Sequence, residues 1–102
     1  MSIKFIVLYP PPLDEAAFER AYHAQHMPFM RSVITPSERV PTFRVVRSSS
    51  TPIYRVAQID FESIGELDAF GRSEAGKHAR RSSESISTGG APLVLICEKD
   101  AS

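Results

Sequence analysis

Ile3-Lys4-Phe5-Ile6-Val7-Leu8-Tyr9, stopped by Pro10-Pro11-Pro12, is the stretch on which the fold turns. β-Branched and aromatic residues favour an extended chain, and prolines, which lack an N–H donor, end it. Side chains alternate between faces along a strand, so Ile3, Phe5, Val7 and Tyr9 share one face and Ile6 and Leu8 the other. Both faces are apolar, which predicts a strand covered on both sides.

Working outward, Asp14 caps a helix, its carboxylate accepting from the free N–H groups of the first turn, with Leu13 and Phe18 spaced as a hydrophobic staple. At about 100° per residue from Phe18, the positions Ala21, Tyr22, Phe29 and Val33 fall on its side. Pro28 removes an N–H and crowds the preceding turn, which predicts a kink or an end near Met27. Val40 to Arg47 and Tyr54 to Phe61 read as the second and third strands. Phe43 and Val45 share a face in one, and Ala57, Ile59 and Phe61 in the other. The polar loop Arg47-Ser48-Ser49-Ser50-Thr51-Pro52 joins them as antiparallel neighbours. Ser63-Ile64-Gly65-Glu66 has the spacing of a capping box, and Ile64, Leu67 and Phe70 form the buried stripe of the helix behind it. Gly71 ends or bends that helix. Ser73 caps another through about Ser85, with Ala75, Ala79 and Ile86 as a thin apolar face. Gly89-Gly90 turns the chain into a last strand, Leu93 to Glu98, again apolar on both faces.

The order βαββαβ predicts an α+β, ferredoxin-like sandwich: a four-stranded antiparallel sheet with both helices on one face. The helices cover one face only, yet the first and last strands are apolar on two. A large uncovered apolar face marks an interface, which predicts a homodimer whose two sheets pack face to face.

At 102 residues the chain is a single domain, 1–102. A chain of this mass buries roughly 65% of its surface on folding, enough for a core without staples. Twelve basic residues balance twelve acidic ones, which argues against nucleic acid or an anionic membrane as the main partner. A lone cysteine, Cys97, excludes an internal disulfide and a cysteine-rich metal site. The apolar run at the start is too short for a membrane span and lacks the pattern of a secretory leader, so a soluble cytoplasmic protein is expected.

Tyr22-His23-Ala24-Gln25-His26-Met27-Pro28 carries the most chemistry. Tyr22 lies about 40° and His26 about 80° round the helix from Phe18, within or beside the apolar stripe, while His23 at about 140° leans to the rim. A buried imidazole needs a partner. Either His26 is a core histidine bonded to a tyrosine or a carbonyl, or it is a general acid or base. His23 and His26 are also spaced as two metal ligands, but no third ligand accompanies them on that face, so no metal is expected. The three tyrosines Tyr9, Tyr22 and Tyr54 read as core aromatics or as hydrogen-bond donors to a substrate carbonyl or phenol. Lys77-His78-Ala79-Arg80-Arg81, with Arg72, reads first as a solvated helix face balanced by Glu74 and Glu84, and second as an anion site. Ser-His-Asp, P-loop and Gly-x-Gly-x-x-Gly signatures are lacking, so no cofactor is expected.

Taken in order, the opening strand, the proline break, Phe18, Tyr22, His26 and Pro28, then Phe61-Glu62-Ser63, Leu67, Phe70, Ser73-Glu74-Ala75-Gly76 and Thr88-Gly89-Gly90 resemble the EthD family over nearly the whole chain. The resemblance implies a dimeric α+β barrel. That family is named for a protein required in bacterial ether degradation, and related barrels include cofactor-independent monooxygenases, muconolactone isomerases and polyketide cyclases. The histidine of the family's His-x-Pro pattern falls on His26. Ile34-Thr35-Pro36-Ser37 departs from the Pro-Gly pattern expected before the second strand, which implies a differently shaped cleft mouth.

Two functions follow. One is a cofactor-free enzyme acting on a small apolar, aromatic or polyketide-like molecule. In it His26 and Tyr22 are catalytic, and Tyr9, Phe29 and His23 hold the substrate. The other is a non-catalytic ligand-binding or accessory protein of a degradation pathway using the same pocket. A purely structural small dimer is the remaining possibility, and a filled core would favour it.

Overall fold

The computed structural model describes residues 1–100. Strands β1 (Ile3–Tyr9), β2 (Thr42–Arg44), β3 (Arg55–Phe61) and β4 (Leu93–Glu98) form one antiparallel sheet in the order β2-β3-β1-β4. Helices α1 (Glu15–Ala21) and α2 (Met27–Val33) are joined without a break through a π-helical turn at Tyr22–His26, and α3 (Ile64–Arg72) is followed at once by α4 (Glu74–Ile86). This is the expected βαββαβ sandwich, with each α unit built from two helices.

Alternation along β1 and β3 sets the core. Ile3, Val7 and Tyr9 of β1 and Ala57, Ile59 and Phe61 of β3 are buried on the helix side, together with Phe18, Tyr22, Met27, Met30 and Ile34 from the first helical unit. Burying a side chain the size of Phe18 or Phe61 contributes about 2–3 kcal/mol. The caps are as expected. Asp14 Oδ1 accepts from Ala17 N–H at 3.0 Å, Ser63 Oγ from Glu66 N–H at 3.1 Å, and Ser73 Oγ from Gly76 N–H at 3.0 Å. Glu66 reaches one residue further back than a capping box requires, accepting from Glu62 N–H at 2.8 Å. Two glycines permit close crossings: a Cβ on Gly76 would stand 1.9 Å from Phe70 O, and one on Gly89 1.8 Å from Pro11 O.

Four expectations are corrected. Leu13 is 84% exposed and forms no staple with Phe18. The second strand is only Thr42–Arg44 rather than Val40–Arg47, because Pro41 has no N–H to give the ladder and the chain leaves the sheet after Val45, whose N–H makes a last bond to Tyr54 O at 2.9 Å. Ile64 is half exposed, so α3 presents only Leu67 and Phe70 inward, and both only partly. Gly71 lies inside α3, which runs on to Arg72 before Ser73 breaks it.

The second face of the sheet carries no helix. Across it the register aligns Phe43, Val56, Leu8 and Leu93 in one row, Gln58, Ile6 and Leu95 in the next, and Asp60, Lys4 and Cys97 in the third. Lys4 Nζ donates to Asp60 Oδ1 at 2.8 Å in that last row. The edge strand β4 is exposed on both sides: Leu93 and Leu95 on the open face, Val94 and Ile96 on the helix face beyond the reach of the helices.

Candidate functional site

Pro28 shapes the site by what it lacks. It cannot donate to the carbonyl four residues back, and its ring crowds that turn. The helix does not end there. It widens, with Met27 N–H bonding Tyr22 O, five residues back. The wider turn slips the helix face by one residue, or about 100°. Beyond it the buried positions are therefore Met27, Met30 and Ile34, while Phe29 and Val33, expected inside, are only half-buried at the rim. His26 sits at the slip and is turned inward, 5% exposed.

Between this helix, the sheet and α4 lies a cavity of about 330 Å³. Its floor is Phe5, Val7, Ala57, Ile59 and Phe61, and its far wall Leu67 and Phe70. His26, Met27 and Met30 enter from the first helical unit, and Gly76, Ala79 and Ser83 from α4. The exposed lining residues Arg80, Glu84, Ala91 and Val94 place the mouth between α4 and the helix-side face of the edge strand β4.

Inside this apolar chamber the polar groups are few, and α4 holds two of them through consecutive serines. Ser82 Oγ lies 2.8 Å from His26 Nδ1, and Ser83 Oγ 2.7 Å from the Tyr9 hydroxyl. Burial disfavours the imidazolium, and His78 nearby disfavours it further, lowering the His26 pKa to about 4, so the ring is neutral at pH 7. Burial likewise drives the Tyr9 phenol far above its ordinary value, against the pull of its bond to Ser83.

The other residues singled out in the sequence lie elsewhere. Tyr22 is fully buried but does not line the cavity. It stands behind His26, ring centroids 5.7 Å apart, with its hydroxyl 2.6 Å from Thr42 Oγ1. Phe29 packs on His78 at 4.3 Å, outside the cavity. His23 is exposed and meets Glu19 Oε2 at 3.2 Å, so the two histidines point to different partners. Among the described residues no three of His, Cys, Asp and Glu converge as a metal set.

Arg55 went unnoticed in the sequence. It is 5% exposed, its guanidinium lies 4.5 Å from the Tyr22 ring centroid, and Nη2 donates to both Glu19 oxygens at 3.0 and 2.9 Å. Tyr54 donates to the same carboxylate at 2.8 Å. Burial pushes the Glu19 carboxyl up, but Tyr54 and Arg55 outweigh that and hold it below the ordinary range. The signal was available: Arg55 is two positions before Ala57 and so shares the inward face of Ala57, Ile59 and Phe61. A cation there demands a buried partner.

Set against solved structures, the chain matches a crystal structure of an ethyl tert-butyl ether D (EthD) family protein from Bacillus halodurans. The TM-score is 0.84 at 23% identity, covering 98% of this chain and 100% of that one. The chain has the fold of an EthD family protein. A dimeric ferredoxin-like protein of unknown function from Jannaschia shares the fold at TM-score 0.66 and 18% identity, over 94% of this chain and 98% of its own. So does a putative antibiotic biosynthesis monooxygenase from Caulobacter crescentus, at 0.55 and 17%, over 96% and 89%. No protein-family model and no curated protein matches the sequence. The EthD fold thus agrees with the resemblance read along the chain, and with the sandwich and sheet order described above.

Proposed function

We propose that the cavity binds a small apolar molecule, aromatic or polyketide-like, and that His26 exchanges a proton with it, using the chain's own side chains and no cofactor. The observation that carries this reading is the cavity itself: about 330 Å³ of largely apolar space with His26 and Tyr9 on its wall. A site that is apolar with a few placed polar groups suits such a ligand. The antibiotic-biosynthesis description of one neighbour accords with a substrate of this class. A homodimer belongs to the same reading. Two copies joined by their open faces would cover the rows from Phe43 to Leu93 and from Gln58 to Leu95, and a stable interface needs about 1,200 Å² or more in total.

Binding without turnover is the second reading. It is favoured by the low His26 pKa of about 4, since a general base works best with a pKa near the working pH.

Thermal shift with naphthalene-sized hydrocarbons, phenols and ketones tests the cavity, because a ligand that binds only the folded state raises Tm. Ala79→Leu, which puts a larger side chain into the cavity, should abolish that shift and leave a folded protein. Shifts unchanged by Ala79→Leu would put the ligand elsewhere. Turnover lost in His26→Leu with binding kept supports the enzyme, and binding with no turnover by the native protein supports the second reading.

A further inference from the structure

We propose that Ser82 is a positioning residue that holds His26 as the Nε2–H tautomer, so that the cavity offers a hydrogen-bond donor and selects apolar ligands bearing a carbonyl oxygen. This rests on the cavity being a ligand site, and adds which polar group the ligand must carry.

Ser82 and His26 lie on different helices, α4 and the π-turn, and meet only through the 2.8 Å contact between Oγ and Nδ1. One of the two atoms must donate. A serine in mid-helix commonly gives its proton to a carbonyl of the preceding turn. Ser32 and Ser85, inside α2 and α4, do so here at 2.6 and 2.9 Å. Ser82 has no such bond among the described residues, and His26 Nδ1 is its hydroxyl's sole protein partner. Were Nδ1 protonated, it would donate to Ser82 and leave the serine proton without an acceptor. With Ser82 donating, the serine proton and Nδ1 are both paired, and a neutral imidazole then carries its one proton on Nε2, where it is free for a ligand.

Nε2 is not sealed in protein. It has no hydrogen-bond partner among the described residues, yet the one fully enclosed, unpartnered side-chain polar atom there is Arg55 Nε. His26 lines the cavity, so Nε2 is the nitrogen that remains for a ligand. Tyr9 is occupied by the neighbouring Ser83. Serine is a poorer helix former than alanine, and α4 places two in succession where each bonds one of the cavity's two inward polar rings. A donor in a water-poor apolar chamber favours an acceptor oxygen and gives nothing to a hydrocarbon of the same shape.

The tautomer is read directly by long-range ¹H–¹⁵N correlation of the His26 ring at pH 7. The native protein should show Nε2 protonated and Nδ1 bare. Ser82→Ala should give a mixture, and Ser82→Thr, which keeps the hydroxyl, should restore the single form. A native ring protonated at Nδ1 would overturn the proposal without any variant. Calorimetry with two probes of nearly one shape, 1-acetonaphthone and 1-ethylnaphthalene, supplies the second arm. The ketone should bind about tenfold tighter, and His26→Leu should bring the two within about twofold while hydrocarbon binding persists. Equal affinities in the native protein would overturn the donor and leave the cavity reading standing. Failure of both probes to bind would remove the cavity reading and this inference with it.

Discussion

The two faces of the sheet are both apolar, and they solve different problems. On the helix side each inward polar ring or cation has a partner in the same chain: His26 has Ser82, Tyr9 has Ser83, Tyr22 has Thr42, and Arg55 has Glu19. On the open side the polar side chains lean to one end, where Lys4 and, from the middle row, Gln58 both donate to Asp60 Oδ1, and the remainder is mostly aliphatic and aromatic surface. A face largely covered within one chain must pair most of its buried polar groups internally, and here Arg55 Nε is the enclosed exception among the described residues. The open face instead leaves Leu93, Leu95 and Phe43 half exposed, and it is this face that the proposed homodimer would cover.

The contrast is broken most severely by removing Tyr22. Tyr22→Ala deletes a fully buried ring that stacks at 5.4 Å on Phe18 and lies under the Arg55 guanidinium. Denaturant unfolding should show a loss of about 3–5 kcal/mol. A loss below about 1 kcal/mol would mean that the helix side is not the sealed one.

Acid should separate the faces next. The unfolded chain protonates His26 near pH 6.5 and the folded chain only near about 4. As pH falls through that window the unfolded state takes up a proton that the folded state refuses. Stability therefore drops, by on the order of 3 kcal/mol. His26→Leu should lose that part of the pH slope. Parallel slopes for the two proteins would show that the imidazole is not shielded.

Charge on the open face should have a smaller and different effect. Leu95→Asp should shift a dimer toward an 11.3 kDa monomer in sedimentation at micromolar concentration, weakening association by about 2 kcal/mol or more, with the fold intact by circular dichroism. A native protein that already sediments at the monomer mass would remove the dimer. Least of all, Lys4→Met should change stability by no more than about 1 kcal/mol, since its partly exposed pair with Asp60 contributes little.

Local patterns carried most of this architecture. The alternation in Ile3–Tyr9 and the serine and aspartate caps at Asp14, Ser63 and Ser73 were legible because each depends on neighbours within a few residues. The face of the first helix was legible as far as His26, and failed beyond it because counting at a uniform 100° cannot register a turn widened by Pro28. That slip exchanged Phe29 for Met27 and Met30. Arg55 and Glu19 were missed because they are far apart in sequence and neither looks unusual alone. Ser82 and Ser83 drew no notice in the sequence, since a serine in a helix has no pattern of its own, and only the packing of α4 against the π-turn gives them His26 and Tyr9 as partners.

The strand with which the sequence opens has a consequence in time. β1 is an inner strand whose neighbours are β3 and β4, and its Ile3 faces Phe61 on one side and Glu98 on the other. On a ribosome, β1 is made long before either neighbour, and the second of them arrives only after both helical units. Until then its backbone donors and its two apolar faces have no lasting partner. Pairing across so much intervening chain is slower to form than local helix contacts, and by topology a mixed fold such as this stands between helical bundles and all-β domains in folding speed. For that interval the nascent chain is the species most exposed to aggregation, and the one on which a chaperone would act.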